Sequence, residues 1–179
     1  MLQNRRRFIA SSVAAAATAA LPAHANDLVI NGLAPDFSAR IFGGRDVSLA
    51  DYRGQVLIIN FWATWCGPCK VELPLLDGYY RVADQHGYGL KILAVTTEDS
   101  LPLSDLQPLA AKVSFDMARH FHGPYGVQKA LPTNYIIDRN GILRYAQAGA
   151  FNLDKLNELL VPLLQQPKPD TAPAGPTKA

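Results

Sequence analysis

The chemistry of this chain is concentrated in ten residues, Phe61-Trp62-Ala63-Thr64-Trp65-Cys66-Gly67-Pro68-Cys69-Lys70. They hold both cysteines and both tryptophans of a 179-residue chain, and they follow directly on an apolar run. Two thiols three apart at a strand-to-helix junction are the pattern of a redox dithiol. A structural bridge is the competing use of two cysteines, but closing so short a loop removes little entropy from the unfolded chain. At a helix N-terminus, free N–H groups and the positive end of the dipole favour a thiolate. Such a setting lowers a thiol pKa from about 8.5 to roughly 3.5–7.5. Cys66 stands where that thiolate would form, and Pro68 suits a first turn whose N–H groups lack intrahelical partners anyway. Cys69 falls on the same side, one turn deeper. Cys66 is therefore expected to exchange with an incoming disulfide or thiol, and Cys69 to resolve the mixed disulfide.

The flanking sequence has to supply a scaffold for this pair. After a lead-in over residues 26–33, segments 36–42 and 45–49 flank Gly43-Gly44, a turn pair that accepts positive φ, and predict a β-hairpin. Residues 55–61 (Val56, Leu57, Ile58, Ile59, Phe61) are nearly all apolar, as in a strand buried on both faces. A helix is expected from Cys66 to about Gln85, with Val71, Leu75, Leu76 and Tyr79 on its apolar side. Pro74 should bend it by removing a backbone bond to Lys70. His86-Gly87-Tyr88-Gly89 ends that helix, and 90–96 reads as another buried strand. Residues 102–112 predict a weak helix bent near Pro108, 115–117 a short strand and 119–126 a short helix. Segments 133–138 and 142–147 flank Arg139-Asn140-Gly141 and predict a second hairpin. The last helix covers 153–164, with Leu153, Leu156, Leu159 or Leu160, and Leu163 or Leu164 as its buried stripe. This order gives one α/β domain, a mixed sheet covered by helices.

The ends of the chain read differently. Arg5, Arg6 and Arg7 give a basic start, and no acid precedes Asp27. The apolar stretch from Phe8 to Leu21 is too short and too alanine-rich for a permanent membrane span. Ala23-His24-Ala25 fits the small-x-small rule, which predicts a signal peptide over residues 1–25 cleaved after Ala25. Arg5-Arg6-Arg7-Phe8-Ile9 is similar to a twin-arginine export signal, with a Sec signal as the alternative and retention as an anchor still open. The whole chain has 17 Lys+Arg and 15 Asp+Glu. The leader removes three Arg and no acid, leaving 14 against 15, a net charge near −1. No clustered basic face remains for nucleic acid. The mature domain is expected over 26–165, and residues 166–179, with four prolines and almost no large apolar side chain, as a disordered tail.

The segment from Phe61 to Cys69 resembles the active site of thioredoxin-fold proteins. It is most similar to the exported TlpA/ResA-type thiol-disulfide oxidoreductases, which include the cytochrome c maturation thioredoxins. Ala34-Pro35-Asp36-Phe37 resembles that group's N-terminal strand, and Gly126-Val127 with Leu131-Pro132-Thr133-Asn134-Tyr135-Ile136-Ile137-Asp138-Arg139-Asn140-Gly141 its later strand and hairpin. The likeness spans about residues 32–165. It implies a thioredoxin-like α/β fold, a central mixed sheet flanked by helices with an N-terminal β-hairpin extension. It also implies that Pro132 is a cis-proline facing Cys66 and Cys69. Trp65, Gly67, Pro68, Leu131 and Pro132 would then meet the substrate, with the Leu131 backbone pairing to an extended client segment. The expected enzyme is a monomeric periplasmic protein-disulfide reductase that needs no metal or organic cofactor. Its partners would be client proteins with cysteine pairs and a membrane thiol transporter of the DsbD or CcdA kind as electron donor.

Two departures bear on the mechanism. Where thioredoxins carry a buried aspartate this chain has Asn60, which cannot take the Cys69 proton, so water, Glu72 or Glu98 would have to assist. Gly67 stands where ResA-like proteins often have a glutamate. Trp62 and Trp65 are expected to shield the site, with an ordinary core role as the alternative for Trp62. His120-Phe121-His122 with Met117 raises the alternative of a copper-binding metallochaperone of this fold, but the Cys-x-x-x-Cys spacing of those relatives is one residue longer. A peroxiredoxin-like peroxidase is a further alternative. It calls for a Thr or Ser three before the first cysteine, where Ala63 stands.

Overall fold

The computed structural model describes residues 28–169. The leader with its cleavage site and residues 170–179 of the expected tail lie outside them. Among the described residues there are seven strands: β1 (Ser38–Ile41), β2 (Asp46–Ser48), β3 (Val56–Trp62), β4 (Leu90–Thr96), β5 (Asp116–His122), β6 (Thr133–Ile137) and β7 (Leu143–Ala148). With helices α1 (Gly67–Gln85), α2 (Leu103–Ala110) and α3 (Leu153–Leu164), they build one mixed sheet in the order β2-β1-β5-β4-β3-β6-β7. β3 runs parallel to β4 and antiparallel to β6, while β4 and β5 are parallel. The N-terminal hairpin joins the sheet through β1, antiparallel to β5.

β3 is apolar throughout because both its faces are covered, as all seven residues are buried. Val56, Ile58 and Trp62 pack with Leu73 and Leu76 of α1, Leu106 of α2 and Leu156 and Leu160 of α3. Leu57, Ile59 and Phe61 pack on the other side with Phe37, Leu49, Tyr52, Tyr125 and Tyr135. The turn residues act locally. Gly44 and Gly141 take φ of 86° and 77° in the two hairpins, and Asn152 caps α3 by accepting the Lys155 N–H at 2.8 Å.

Three expectations change. The helix predicted over 119–126 is absent, and its first half is the end of β5, which runs to His122 instead of stopping at Met117. The cause is pairing at long range, because β1 takes up Ala118, Arg119 and His122. A register irregularity between Ser38 and Arg40 accompanies it, and His120 there has φ of 52°. The buried side of α1 is shifted from the one predicted, and on α3 only the first residue of the predicted stripe is displaced. On α1 the buried residues include Cys69, Glu72, Leu73 and Leu76, while Val71 is 75% exposed. On α3 Leu156, Leu160 and Leu163 are buried and Leu153 is 54% exposed. Trp62 is fully buried and takes the core role named as its alternative, in the same cluster as Cys66 and Cys69, while Trp65, 70% exposed, lies on the surface.

Candidate active site

β3 ends at Trp62 and α1 begins at Gly67, so the four residues between them make the tight connection that carries the first thiol. Cys66 is the N-cap of α1, with Pro68 in the first turn. Cys66 and Cys69 are joined in a disulfide, their Cα atoms 5.3 Å apart. The Cys69 N–H donates to Cys66 Sγ at 3.2 Å, so a donor that the helix leaves free points at the sulfur expected to react. Cys69 is fully buried and Cys66 only 3% exposed. Gly67, Pro68 and Trp65 form the exposed rim above them.

The connection is pinned from β4. Glu98 accepts both the backbone N–H and, at 2.9 Å, the hydroxyl of Thr64. The Thr97 N–H donates to the Trp62 carbonyl at 3.0 Å. Glu98 therefore holds the loop that presents Trp65 and Cys66.

Leu131–Pro132 is a cis peptide, as the resemblance implies. Thr133 lies opposite Phe61 in the β3–β6 pair, so Pro132 and Leu131 sit level with the end of β3, beside the redox loop. Side chains of β6 fasten the segment before them. Thr133 Oγ1 donates to the Ala130 carbonyl at 2.7 Å and accepts the Gln128 N–H at 3.2 Å, while the Tyr135 hydroxyl donates to the Gly126 carbonyl at 2.6 Å.

Below the disulfide lies a buried polar cluster around Glu72. Its Oε2 accepts from Asn60 Nδ2 at 2.7 Å, and its Oε1 accepts from Asn134 Nδ2 at 2.8 Å and from the Phe151 N–H at 2.7 Å. No arginine, lysine or histidine is among these partners. Burial pushes the Glu72 carboxyl above its usual range, with the bonds from Phe151, Asn134 and Asn60 acting in the opposite direction. Asn60 occupies the thioredoxin aspartate's position on β3, and the carboxylate reaches the same neighbourhood from α1 instead. Sequence reading singled out Asn60 and Glu72 but not Asn134 or Phe151. An asparagine inside the apolar Tyr135-Ile136-Ile137 strand was the available sign of a buried polar partner.

The residues of the copper alternative do not converge. Met117 is buried in the helix-side core, whereas the exposed His120 accepts from Arg119 Nε at 2.8 Å and lies 3.6 Å from Asp99.

Comparisons with known proteins agree with this geometry. The AhpC/TSA family model matches residues 30–146. The chain is 30% identical over 139 residues to thiol-disulfide oxidoreductase ResA of Geobacillus thermodenitrificans, an alignment spanning 74% of this chain and 77% of the relative. It is 29% identical to the thioredoxin-like protein YneN of Bacillus subtilis, over 71% of this chain and 76% of that one. Among solved structures, a thiol:disulfide interchange protein of DsbE type from Chlorobium tepidum superposes with a TM-score of 0.64 at 28% identity, covering 77% of this chain and 99% of that one.

Proposed function

Because the chain belongs to the AhpC/TSA family and is a thiol-disulfide oxidoreductase of the ResA and DsbE type, we propose that it is exported to the periplasm and there reduces disulfides in client proteins. The observation that carries this reading is the Cys66–Cys69 pair at the N-cap of α1, level with the Leu131–Pro132 cis peptide. Export rests on the sequence from Arg5 to Ala25. Among the described residues no helix is long and apolar enough to cross a membrane.

In the reduced enzyme, the Cys66 thiolate attacks one sulfur of the client disulfide. This forms a Cys66–client mixed disulfide and releases the other client sulfur as a thiolate, which takes up a proton. Cys69 then loses its proton to Glu72, directly or through a water, and attacks Cys66. The enzyme disulfide forms, and the second client sulfur leaves as a thiolate, which takes up the proton held by Glu72 or one from solvent. Two electrons have passed to the client, and no metal or organic cofactor takes part. Trp65, Gly67, Pro68 and the backbone of Leu131 bind the extended client segment in this scheme. Glu98, bonded to Thr64, acts by holding the loop. A membrane thiol transporter of the DsbD or CcdA kind returns the enzyme to the dithiol, and apocytochrome c, copper-site cysteines or a sulfur-metabolism partner would each serve as the client.

The reduction potential of the pair, equilibrated against glutathione, tests the direction. A value near or below about −220 mV marks a reductant in an oxidising compartment. A value near about −120 mV makes the protein a disulfide donor and overturns the proposed electron flow.

A further inference from the structure

We propose that Asn134 is the positioning residue of Glu72, its amide setting the direction of a hydrogen-bond relay that keeps the carboxylate surrounded by donors and ready to take the Cys69 proton. The inference rests on the reading of Glu72 as proton acceptor and adds what holds it in that state.

The relay has one sense only. The Gly149 carbonyl can only accept, and it lies 3.1 Å from the Asn134 amide, so the nitrogen of that amide must face it. Asn134 Nδ2 spends its second hydrogen on Glu72 Oε1 at 2.8 Å. Asn134 Oδ1 then faces Asn60, which must present Nδ2 and does so at 2.7 Å. The other hydrogen of Asn60 Nδ2 goes to Glu72 Oε2, also at 2.7 Å, and Asn60 Oδ1 is left buried without a partner. With the Phe151 N–H on Oε1, both oxygens of Glu72 meet donors and nothing that could accept from a carboxylic acid. Such surroundings favour the ionised form against the cost of burying it. An Asn60 amide turned the other way would set Oδ1 against the oxygens of Glu72 and Asn134 and leave Nδ2 without an acceptor. Asn134 prevents this.

Position makes the connection more than local. Asn60 and Asn134 are direct register partners on β3 and β6, and Asn134 follows Pro132 by two residues. Gly149, whose carbonyl orients Asn134, donates its own N–H to the Pro132 carbonyl at 2.8 Å. Glu72 on the redox helix and the cis peptide beside the client are thus joined through Asn134 and Gly149.

The titratable groups around Glu72 are few. Cys66 caps α1 and Cys69 lies on it, while β3 and β6 face Glu72 with Asn60 and Asn134, whose amides do not titrate. Tyr145 of β7 packs on Phe151, with ring centroids 5.4 Å apart. Burial raises its phenol pKa most, Lys155 of α3 lowers it, and the charges of Glu72 and Glu158 add to the rise.

The test follows the resolving step alone. Reduced enzyme is mixed with 5,5′-dithiobis(2-nitrobenzoate), and the second release of coloured thiolate, driven by Cys69, is timed from pH 4 to 9 in a stopped-flow instrument. In the unaltered protein the rate should rise with ionisation of Glu72. Asn134→Ala should move that midpoint up by about one pH unit, the size expected on losing one donor to a carboxylate. Asn134→Thr, which keeps a hydroxyl donor, should move it less and carries the test where the alanine variant does not fold. An unchanged midpoint with a lowered melting temperature would make Asn134 structural only and overturn the proposal. Glu72→Gln separates the layers: a profile identical to that of the unaltered protein overturns the Glu72 reading itself, and this inference with it.

Discussion

Glu98 grips Thr64 at two points, its carboxylate accepting the backbone N–H and the hydroxyl, and Thr64 stands two residues ahead of Cys66. The loop that presents the reactive sulfur is thereby tied to the end of β4 by a charged acceptor. Glu98→Ala should cost about 1.5–3 kcal/mol, the range for bonds to a charged group, and should slow insulin reduction because Trp65 and Cys66 lose their anchor. Glu98→Gln retains one acceptor and should fall between. Urea denaturation and turnover measured together check this, and turnover unaffected by the alanine variant would count against an anchoring role.

The two thiols should fail in different ways. Cys66→Ser should abolish insulin-disulfide reduction, since the attacking sulfur is gone. Cys69→Ala should keep the first step and lose the second, so that mixed disulfides with clients accumulate and appear on non-reducing gels. Turnover by the serine variant, or no trapped species with the alanine variant, contradicts the assigned order.

Glu72 should make stability depend on pH with a definite sign. Burial raises its folded-state pKa, so the native protein holds that proton more tightly than the unfolded chain. The contribution is fully present below the unfolded value of about 4.3 and is lost as pH rises through the folded value. Glu72→Gln removes this dependence. The melting temperature of the unaltered protein should therefore fall relative to the glutamine variant as pH is raised from 4.5 to 8. A constant difference between the two across that range would mean that Glu72 titrates normally.

Arg139 offers a control away from the thiols. It is 3% exposed, and its guanidinium donates to the carbonyls of Gly54, Tyr88 and Leu164, joining the approach to β3, the loop after α1 and the end of α3. Arg139→Ala should cost about 2–4 kcal/mol by leaving buried carbonyls unpaired. The reduction potential should stay where it is. A shifted potential would show that the clamp reaches the active site.

Trp65 should matter to binding and little to folding. Trp65→Ala should raise KM for protein clients and change stability by no more than about 0.5 kcal/mol, as for other exposed positions. Steady-state kinetics with reduced insulin turnover as readout decides it.

Local signals carried much of the fold. The apolar run of β3, the glycines of both hairpins and the leucine period of α3 are each written within a few residues, and those elements fall where the sequence puts them. The thiol pair and the cis-proline loop were equally legible, the second through family likeness. What failed depended on distant partners. Arg119 to His122 form strand because β1, some eighty residues earlier in the chain, pairs with them. The buried side of α1 was misjudged because Glu72 belongs to it, and a carboxylate counts against burial until its partners are known. Those partners are 12, 62 and 79 residues away, beyond any periodicity.

The N-terminal hairpin has a consequence for how this protein meets other chains. Without it, seven-residue β5 would end the sheet and offer its backbone to any extended polypeptide. With it, the outermost strand on that side is β2, three residues long, where Arg40 holds Asp46 through two bonds of 2.8 and 2.9 Å. So short and charged a border is a poor template for strand addition. Under the proposed function this has a use: an extended client chain would dock beside Cys66 and leave again, rather than being captured along the flank of the sheet and seeding aggregates.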